Sequence, residues 1–239
     1  MNANHLNLLP HTREPASGNP FFQFEQGSGS VTEKNKKAYQ LYSLFYPLLA
    51  LGAYKLIWRG RLLKHIRYFK DSLDISQTLA DIATGDGTLT QKALFSGPEN
   101  QWPHVSAVDI SKAMLSQASK KLPGSTTRFI LGDAENLPFP DNSVPLVTCF
   151  GGFNSFIHPQ IVMNQFFRVL SSGGRVRGSV LLTPDSAWRI KAIDWFIDKG
   201  LQSMHVHEDG FKTWAGSSGF KINQLIKYGD VLLFEMEKP

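Results

Sequence analysis

The sequence predicts an α/β protein with a doubly wound sheet of seven strands, mostly parallel with the last strand antiparallel, preceded by an N-terminal helical cap. Three observations indicate this architecture. Short apolar runs alternate with longer amphipathic runs after Asp74, glycines or acidic residues follow the apolar runs, and an aromatic-rich segment precedes them. With 239 residues, of which 42% are hydrophobic, the chain is long enough to bury the core of one large domain.

The first 72 residues divide into two parts. Residues 1–31 are polar and rich in Pro, Asn and Ser, without the apolar centre of a secretory signal, and predict a disordered arm. Residues 32–72 are dense in Leu, Tyr, Phe and Trp and predict two or three helices, broken at Pro47, that form a cap or lid. The uncharged run from Ala38 to Tyr54 is shorter than the roughly 20 apolar residues that span a bilayer, so we expect no transmembrane helix.

Residues 73–239 form the predicted main domain. Strand-like runs such as QTLADIA, HVSAVDI, TRFIL, VPLVTCF and RVRGSVLL alternate with helical runs such as SKAMLSQASKKL and PQIVMNQFFRVL. This alternation is typical of βαβ units and a parallel sheet. The tail, GFKINQLIKYGDVLLFEMEKP, contains two β-rich runs only a few residues apart, and these must pair antiparallel because a parallel crossover needs a dozen or more residues.

The distribution of charge limits the possible binding partners, and the cysteine content limits the possible cellular compartment. The net charge is +5, but nine Lys and Arg and no acidic residue lie between Lys34 and Lys70, which leaves 16 basic against 20 acidic residues elsewhere. Because the basic charge is local and interleaved with apolar residues, we expect no nucleic-acid partner and a weak peripheral contact of residues 34–70 with anionic membranes. Cys149 is the single cysteine, which excludes an intrachain disulfide and suits a cytoplasmic protein.

The first predicted strand is followed by a glycine turn. In LADIATGDGTLT the strand ends near Asp81, and Gly85 and Gly87 precede a helix. Such glycines allow a tight turn and let a ligand lie against the backbone. A dinucleotide fingerprint would have a third glycine at position 90, where this chain has Thr90, so the turn indicates a ligand other than a pyrophosphate.

Acidic residues follow the next two strands. Asp109 ends HVSAVD, 22 residues after Gly87, where a carboxylate can accept hydrogen bonds from both hydroxyls of a ribose. Asp133, in GDAENLPFP, follows the third strand and can accept from an exocyclic adenine amine. Each feature has an ordinary structural alternative: a strand-to-helix turn, an acid at a helix N-terminus, and an Asx turn. Their order and spacing together favour a nucleoside-binding site.

These motifs resemble those of the class I S-adenosylmethionine-dependent methyltransferases, particularly the branch of the ubiquinone and menaquinone biosynthesis C-methyltransferases. DIATGDGTLT, GDAENLPFPDNS and FFRVLSSGG stand here in the order of that branch, within residues Leu79 to Leu182. The resemblance implies a Rossmann-like fold, S-adenosylmethionine as the cofactor and methyl transfer to a small molecule.

The resemblance also implies the site residues. Asp81, Ala83, Gly85 and Gly87 would line the methionine side, Asp109 the ribose, Asp133 with Ala134 the adenine, and Phe150, Gly151 and Asn154 the transferable methyl. The full set of implied cofactor-binding residues is Asp81, Ala83, Thr84, Gly85, Gly87, Asp109, Ile110, Asp133, Ala134, Phe150 and Gly151.

Three departures from the family pattern concern the acceptor and the sheet. Phe153 stands where the quinone enzymes tend to carry Arg, which favours a different, apolar or aromatic acceptor held against Phe153 and Phe156. Val144 and Pro145 replace Phe-Asp, and Ser171 with Ser172 replaces Lys-Pro; both changes look structural.

His158 and Asn154 are the candidate catalytic residues, with His158 as a general base or, alternatively, a structural histidine at a helix entry. Tyr39, Tyr42 and Tyr46 either close over the cofactor or pack the cap. The His205, His207 and Glu208 group is poor evidence for a metal, and we expect none. Further aromatic residues suggest an apolar acceptor chamber: Phe45, Trp58, Trp188, Trp195 and Phe196.

Two other functions stay open at this point. A protein of this fold can bind the cofactor as a binding module or catalyse a reaction without methyl transfer, because fold does not fix function. Nucleic-acid methylation is disfavoured, since the chain lacks an Asn-Pro-Pro-aromatic block after the fourth strand. The expected acceptor is a quinol, phenol, polyketide-like or lipid-like molecule.

Overall fold

The computed structural model describes residues 5–16, 20–24 and 46–239. Eight strands form one sheet in the order β1-β4-β3-β2-β5-β6-β8-β7. Their bounds are β1 (Phe22–Gln23), β2 (Thr78–Ile82), β3 (His104–Asp109), β4 (Thr127–Leu131), β5 (Val144–Phe150), β6 (Leu170–Leu181), β7 (Lys221–Tyr228) and β8 (Val231–Glu237). The helices are α1 (Tyr46–Leu56), α2 (Leu62–Lys70), α3 (Thr88–Leu94), α4 (Lys112–Ala118), α5 (Pro159–Val169), α6 (Ala187–Asp198) and α7 (Glu208–Ser217), with short 3-10 turns at Asp71–Asp74, Glu99–Gln101 and Phe153–Ser155.

The sheet confirms the predicted fold class. Strands β1 to β6 pair parallel, whereas β8 pairs antiparallel with both β6 and β7 and so lies between them. Strand order reverses between β2 and β5, which is where ligands bind in open α/β sheets. Pro145 lies in β5 at a shift in register between Val144 and Leu146, a position where the missing N–H of proline is tolerated.

The additional strand, β1, corrects two predictions for the N-terminal segment. Phe22 and Gln23 pair with the outer edge of β4, so the sheet has one strand more than the seven expected. Leu6, Phe21 and Phe24 are buried, so a disordered arm is wrong for residues 5–16 and 20–24. A few apolar side chains in a polar segment suffice to cover the unpaired edge of β4, and average composition does not reveal them.

Helices cover both faces of the sheet. Helices α5 and α7 pack on one face through Val162, Phe166 and Phe211, and α3 and α4 pack on the other through Leu94 and Leu115. A third apolar cluster joins α1, α2 and α6 to β8. Its buried members are Ile57, Trp58, Tyr68, Ile193, Phe196, Leu201, Val231 and Leu233.

The described part of the cap therefore packs on the main domain. Helices α1 and α2 agree with the expected helical segment, while the boundaries at residues 32–72 and 73–239 stay a prediction. Tyr39, Tyr42 and Phe45 lie outside the described residues, as does the side chain of Tyr46. No helix in the described ranges is long and apolar enough to cross a membrane.

Candidate functional site

A cavity of about 490 Å³ lies at the carboxyl-terminal edge of the central strands, beneath α1, α2 and α6. It is lined by the segments that follow β2, β3, β4 and β5, and by side chains of the helices above them. Nine of the predicted cofactor-binding residues line it: Ala83, Thr84, Gly85, Asp109, Ile110, Asp133, Ala134, Phe150 and Gly151. Its size is that of an ordinary small-molecule site, and most of its lining is apolar.

The loop after β2 has a backbone shaped by Ala83 and Gly85. Ala83 has φ of 58°, a left-handed conformation that costs energy for a residue with a Cβ and is commonly found at functional sites. Gly85 has φ of 60°, and a Cβ built on it would meet no atom within 4 Å. The absence of a side chain at Gly85 therefore leaves open space beside the loop.

Asp81 holds this loop from below and does not line the main cavity. Its side chain is buried and accepts hydrogen bonds from the hydroxyls of Thr84 (2.7 Å), Thr90 (2.7 Å) and Thr148 (2.8 Å). Burial raises its pKa, and the three hydroxyls oppose that shift. The prediction that Asp81 lines the methionine side is corrected to a positioning role, because its carboxylate is already used by threonines.

Asp109 links the first loop to the second. Its Oδ2 accepts from the N–H of Gly85 and its Oδ1 from the N–H of Ser111, both at 2.8 Å. Burial raises the pKa of Asp109 to about 6, and the nearby charge of Asp81 acts in the same direction. Asp109 lines the cavity and is partly exposed to it, so its carboxylate is placed to accept further hydrogen bonds.

The loop after β4 forms a separate wall. Asp133 is buried, and its Oδ1 accepts from the N–H of Glu135 at 2.9 Å. Ile110, Gly132 and Ala134 line the cavity beside it. That Asp133 and Ala134 frame an adenine ring stays a prediction.

Gly87 lies outside the cavity lining. It precedes α3 with φ of 74°, and a Cβ there would lie 3.0 Å from Cα of Ala118 and 3.2 Å from Cγ of Leu122. The cofactor-binding role predicted for Gly87 is therefore corrected to a packing role, since its missing side chain lets α3 approach α4.

Asn154 does not reach the cavity either. It is buried, donates through Nδ2 to the carbonyl of Leu181 at 2.7 Å and accepts through Oδ1 from the N–H of Leu181 at 2.9 Å. The catalytic role predicted for Asn154 is corrected, because both ends of its amide fix the segment after β5 to β6.

Phe153 points to the core rather than to an acceptor. It is fully buried and packs edge-on, at centroid distances of 5.4 to 5.9 Å, against four rings: Phe156, Phe166, Phe211 and Phe234. The prediction that Phe153 forms the acceptor wall is wrong, whereas Phe156 does line the cavity.

The structure places His158 outside the cavity lining. Its side chain is 51% exposed, and Nδ1 lies 3.1 Å from both carboxylate oxygens of Glu135. Glu135 itself lines the cavity. The prediction that His158 acts as a general base on the acceptor is corrected to a surface contact with the loop after β4.

The end of β5 and the segment that follows it line the cavity. Phe150 stacks on Phe69 of α2, with centroids 4.1 Å apart. Gly151 has φ of 84° and open space where a Cβ would lie, whereas a Cβ on Gly152 would be 2.8 Å from Cys149 Sγ. Cys149 is buried as predicted, and burial raises the pKa of its thiol.

Two polar residues of the cap line the cavity and were not predicted. His65 of α2 is buried, with Nδ1 2.8 Å from Tyr54 Oη and Nε2 3.1 Å from Ser179 Oγ. Tyr54 Oη is also 2.7 Å from Tyr228 Oη. His65 precedes Tyr68 and Phe69 at helical spacing, and that pattern is the signal that could have placed it on the buried face.

The aromatic residues expected to form an apolar chamber divide into two groups. Trp58 and Phe196 line the cavity, and their ring centroids are 6.2 Å apart. Trp188 and Trp195 are 61% and 44% exposed and are not part of the lining. His205 pairs with Asp194, and the described residues contain no group of three or more His, Cys, Asp or Glu that could hold a metal.

Comparison with known proteins finds similarity to methyltransferases. Residues 80–177 match a protein family described as a methyltransferase domain. The chain is 32% identical over 158 residues to the ubiquinone/menaquinone biosynthesis C-methyltransferase of Pseudomonas fluorescens and 30% identical to that of Yersinia pestis. These matches cover 64% of this chain, which spans 58% and 59% of the length of the two relatives.

Solved structures show the same fold at low identity. An S-adenosylmethionine-dependent methyltransferase of Thermotoga maritima has a TM-score of 0.61 and 16% identity, over 86% of this chain and 100% of that chain. A [4+2]-cyclase has a TM-score of 0.63 and 15% identity, over 89% of this chain and 99% of that chain. The fold is therefore shared by proteins with different reactions, a methyltransferase and a [4+2]-cyclase.

Proposed function

We propose that this chain, in which residues 80–177 form a methyltransferase domain, transfers the methyl group of S-adenosylmethionine to a small, largely apolar acceptor. The observation that carries the proposal is one continuous cavity that contains both the strand-end motifs and an apolar wall from the cap. A cofactor and an acceptor must share such a space for a group to pass between them.

The residues of the site fit this cofactor. Gly85 and Gly151 line the cavity with open space where side chains would lie, and Asp109 offers a carboxylate to a ribose. Ala83 and Gly85 would carry the methionine portion, with Asp133 and Ala134 beside the adenine. When bound, S-adenosylmethionine supplies a methyl group already activated by a sulfonium.

The chain's own task is to position the acceptor and exclude water. Trp58, Phe156 and Phe196 supply an apolar surface, and α1 and α2 cover the sheet edge. Closing an active site to water strengthens the electrostatic interactions inside it and prevents side reactions. The proposed acceptor is therefore apolar or aromatic: a quinol, a phenol or a polyketide-like or lipid-like molecule.

The cofactor proposal can be tested with a matched pair of glycine variants. Gly85 and Gly173 both have positive φ and open space at the Cβ position, but only Gly85 lines the cavity. We expect Gly85→Ala to weaken the binding of S-adenosylhomocysteine and Gly173→Ala to leave it unchanged, as measured by calorimetry. Equal effects would show that backbone strain, and not contact with the ligand, is the cause.

Methyl transfer requires a second experiment, because the fold also occurs in a [4+2]-cyclase. The protein would be incubated with S-adenosylmethionine that carries a trideuterated methyl group and with an organic extract of cells. We expect mass spectrometry to find a labelled apolar product that is absent with the Gly85→Ala variant. Cofactor binding without any labelled product would favour a binding module or a reaction without methyl transfer.

The cap is also proposed to contact anionic membranes weakly. Among its described residues, Leu56 and Leu63 are 67% and 83% exposed, and residues 46–70 contain basic but no acidic side chains. Each basic residue near an anionic surface can contribute about 1 kcal/mol. We expect co-sedimentation with anionic vesicles at low salt, and equal recovery on neutral vesicles would contradict it.

A further inference from the structure

The cap presents an unusual polar group to an otherwise apolar cavity wall. Tyr54 and His65 line the cavity, and the hydrogen bonds of this pair extend to Ser179 on β6 and to Tyr228 on β7. No residue of the cofactor loops takes part in these contacts. The pair therefore needs an explanation beyond cofactor binding.

His65 is not free to take a proton from a ligand. Both of its ring nitrogens are engaged, Nδ1 with Tyr54 and Nε2 with Ser179. Burial lowers the pKa of His65 to about 4, so the ring is neutral near pH 7. His65 is thus a positioning residue that holds Tyr54.

Tyr54 keeps one unused acceptor site. A tyrosine hydroxyl donates one hydrogen bond and accepts two, so when Tyr54 donates to either His65 Nδ1 or Tyr228 Oη, one lone pair of its Oη stays free. Burial raises the pKa of Tyr54, so its hydroxyl stays protonated. A ligand can meet this lone pair only by donating a hydrogen bond.

Two further cavity residues have unmet hydrogen-bonding groups. Gln202 Oε1, an acceptor, and Trp58 Nε1, a donor, are buried without a hydrogen-bond partner among the described residues, and both side chains line the cavity. Buried polar atoms without partners are costly, which favours a ligand that satisfies them. A hydroxyl group both donates and accepts, whereas an ether only accepts.

We propose that Tyr54 recognises an O–H group of the acceptor while His65 fixes the orientation of Tyr54, so that this pair selects a hydroxyl-bearing molecule. This inference rests on the proposed function, because it names the class of molecule that shares the cavity with the cofactor. Phe156 and Phe196 contact the apolar remainder of the same molecule.

The experiment compares two probes that differ in one group. The protein is saturated with S-adenosylhomocysteine and titrated by calorimetry with 4-hexylphenol and with 4-hexylanisole, in which the hydroxyl is methylated. One neutral hydrogen bond in such a site corresponds to binding that is about five- to tenfold tighter. We expect the wild type to bind the phenol tighter than the anisole by that factor.

Tyr54→Phe is expected to abolish the preference while it preserves the affinity for S-adenosylhomocysteine. Tyr68→Phe is the matched control: Tyr68 is a buried cap tyrosine of α2 outside the cavity lining, and its loss of a hydroxyl should leave the preference intact. A His65→Gln variant, which keeps a polar side chain beside Tyr54, should reduce the preference without abolishing it.

The outcomes separate this inference from the function on which it rests. Three results would overturn the role of Tyr54: equal affinity of the wild type for both probes, absence of binding of either probe, or a preference that survives in Tyr54→Phe. If the protein still binds S-adenosylhomocysteine in these cases, the proposed function stands. A wild type that fails to bind S-adenosylhomocysteine would overturn both.

Discussion

Binding of S-adenosylhomocysteine should weaken when the pH falls below about 6, through protonation of Asp109. Burial raises the pKa of this carboxyl to about 6 in the ligand-free protein. A carboxylate can accept hydrogen bonds from both hydroxyls of a ribose, whereas its protonated form has lost part of that capacity. Binding therefore favours the ionised form and requires release of a proton at acidic pH.

The size of the effect follows from the same pKa. One pH unit below the pKa, about nine-tenths of the free protein carries the proton, so the apparent affinity falls about tenfold relative to neutral pH. The contribution of Asp109 to folding stability has the opposite pH dependence to that of an ordinary salt-bridged acid. Because the pKa of Asp109 is raised, its contribution to stability is present at acidic pH and is lost as the pH rises through about 6.

Isothermal calorimetry with S-adenosylhomocysteine between about pH 5 and pH 7 measures this slope, since the amino and carboxyl groups of the ligand hardly change their charge in that range. Asp109→Asn is the control, because an amide does not titrate. It should bind more weakly at pH 7 and show no slope. A wild type that remains folded and binds with the same affinity across the range would refute the assignment of Asp109 to the ribose.

Three further changes separate structural from functional residues. Asn154→Ala should lower the free energy of unfolding by about 1–3 kcal/mol in urea titrations, because the carbonyl and N–H of Leu181 lose their partner, a buried side chain; an unchanged midpoint would argue against the observed contacts. His158→Ala should alter S-adenosylhomocysteine affinity by less than about 0.5 kcal/mol, as is usual for exposed sites, and a larger loss would restore His158 to the site. Phe21→Ala should cost about 3–5 kcal/mol of stability, in contrast to the exposed Trp188→Ala, and equal small effects would mean that the N-terminal segment does not support the fold.

The sequence was sufficient to predict the sheet and most of the strand-end residues that line the cavity, because both depend on local patterns. Alternating apolar runs identify strands and helices, and the carboxyl ends of parallel strands meet at one edge of the sheet. Any residue that immediately follows such a strand is therefore near the others. Gly85, Asp109, Asp133 and Gly151 all line one cavity for this reason.

The direction in which a loop side chain points cannot be predicted from the spacing of residues in the sequence. Phe153 and Phe156 stand three residues apart in one short segment, yet Phe153 is fully buried in the core and Phe156 lines the cavity. Gly87 and Asn154 likewise belong to the right segments but face α4 and β6. Which face a loop residue takes is decided by tertiary packing.

The cap residues show a different limit of prediction from sequence. Tyr54 and His65 form hydrogen bonds with Tyr228 and Ser179, which are 174 and 114 positions away along the chain. Pairing over such distances depends on how α1 and α2 pack on β6 and β7. The apolar spacing of α2 could have indicated that His65 is buried, but not which groups its two nitrogens contact.

Counting hydrogen bonds explains why two acids at neighbouring strand ends have different roles. A carboxylate has about four lone-pair positions for hydrogen bonds. Asp81 uses three of them for Thr84, Thr90 and Thr148, and it is fully enclosed beneath the loop. Asp109 accepts from the backbone N–H groups of Gly85, Ser111 and Ile110, and it lines the cavity, so its carboxylate keeps capacity to accept from a ribose hydroxyl. The first acid thus fixes the loop, whereas the second is the one for which we propose a contact with the ligand, so only Asp109 is expected to respond to the ligand in a titration.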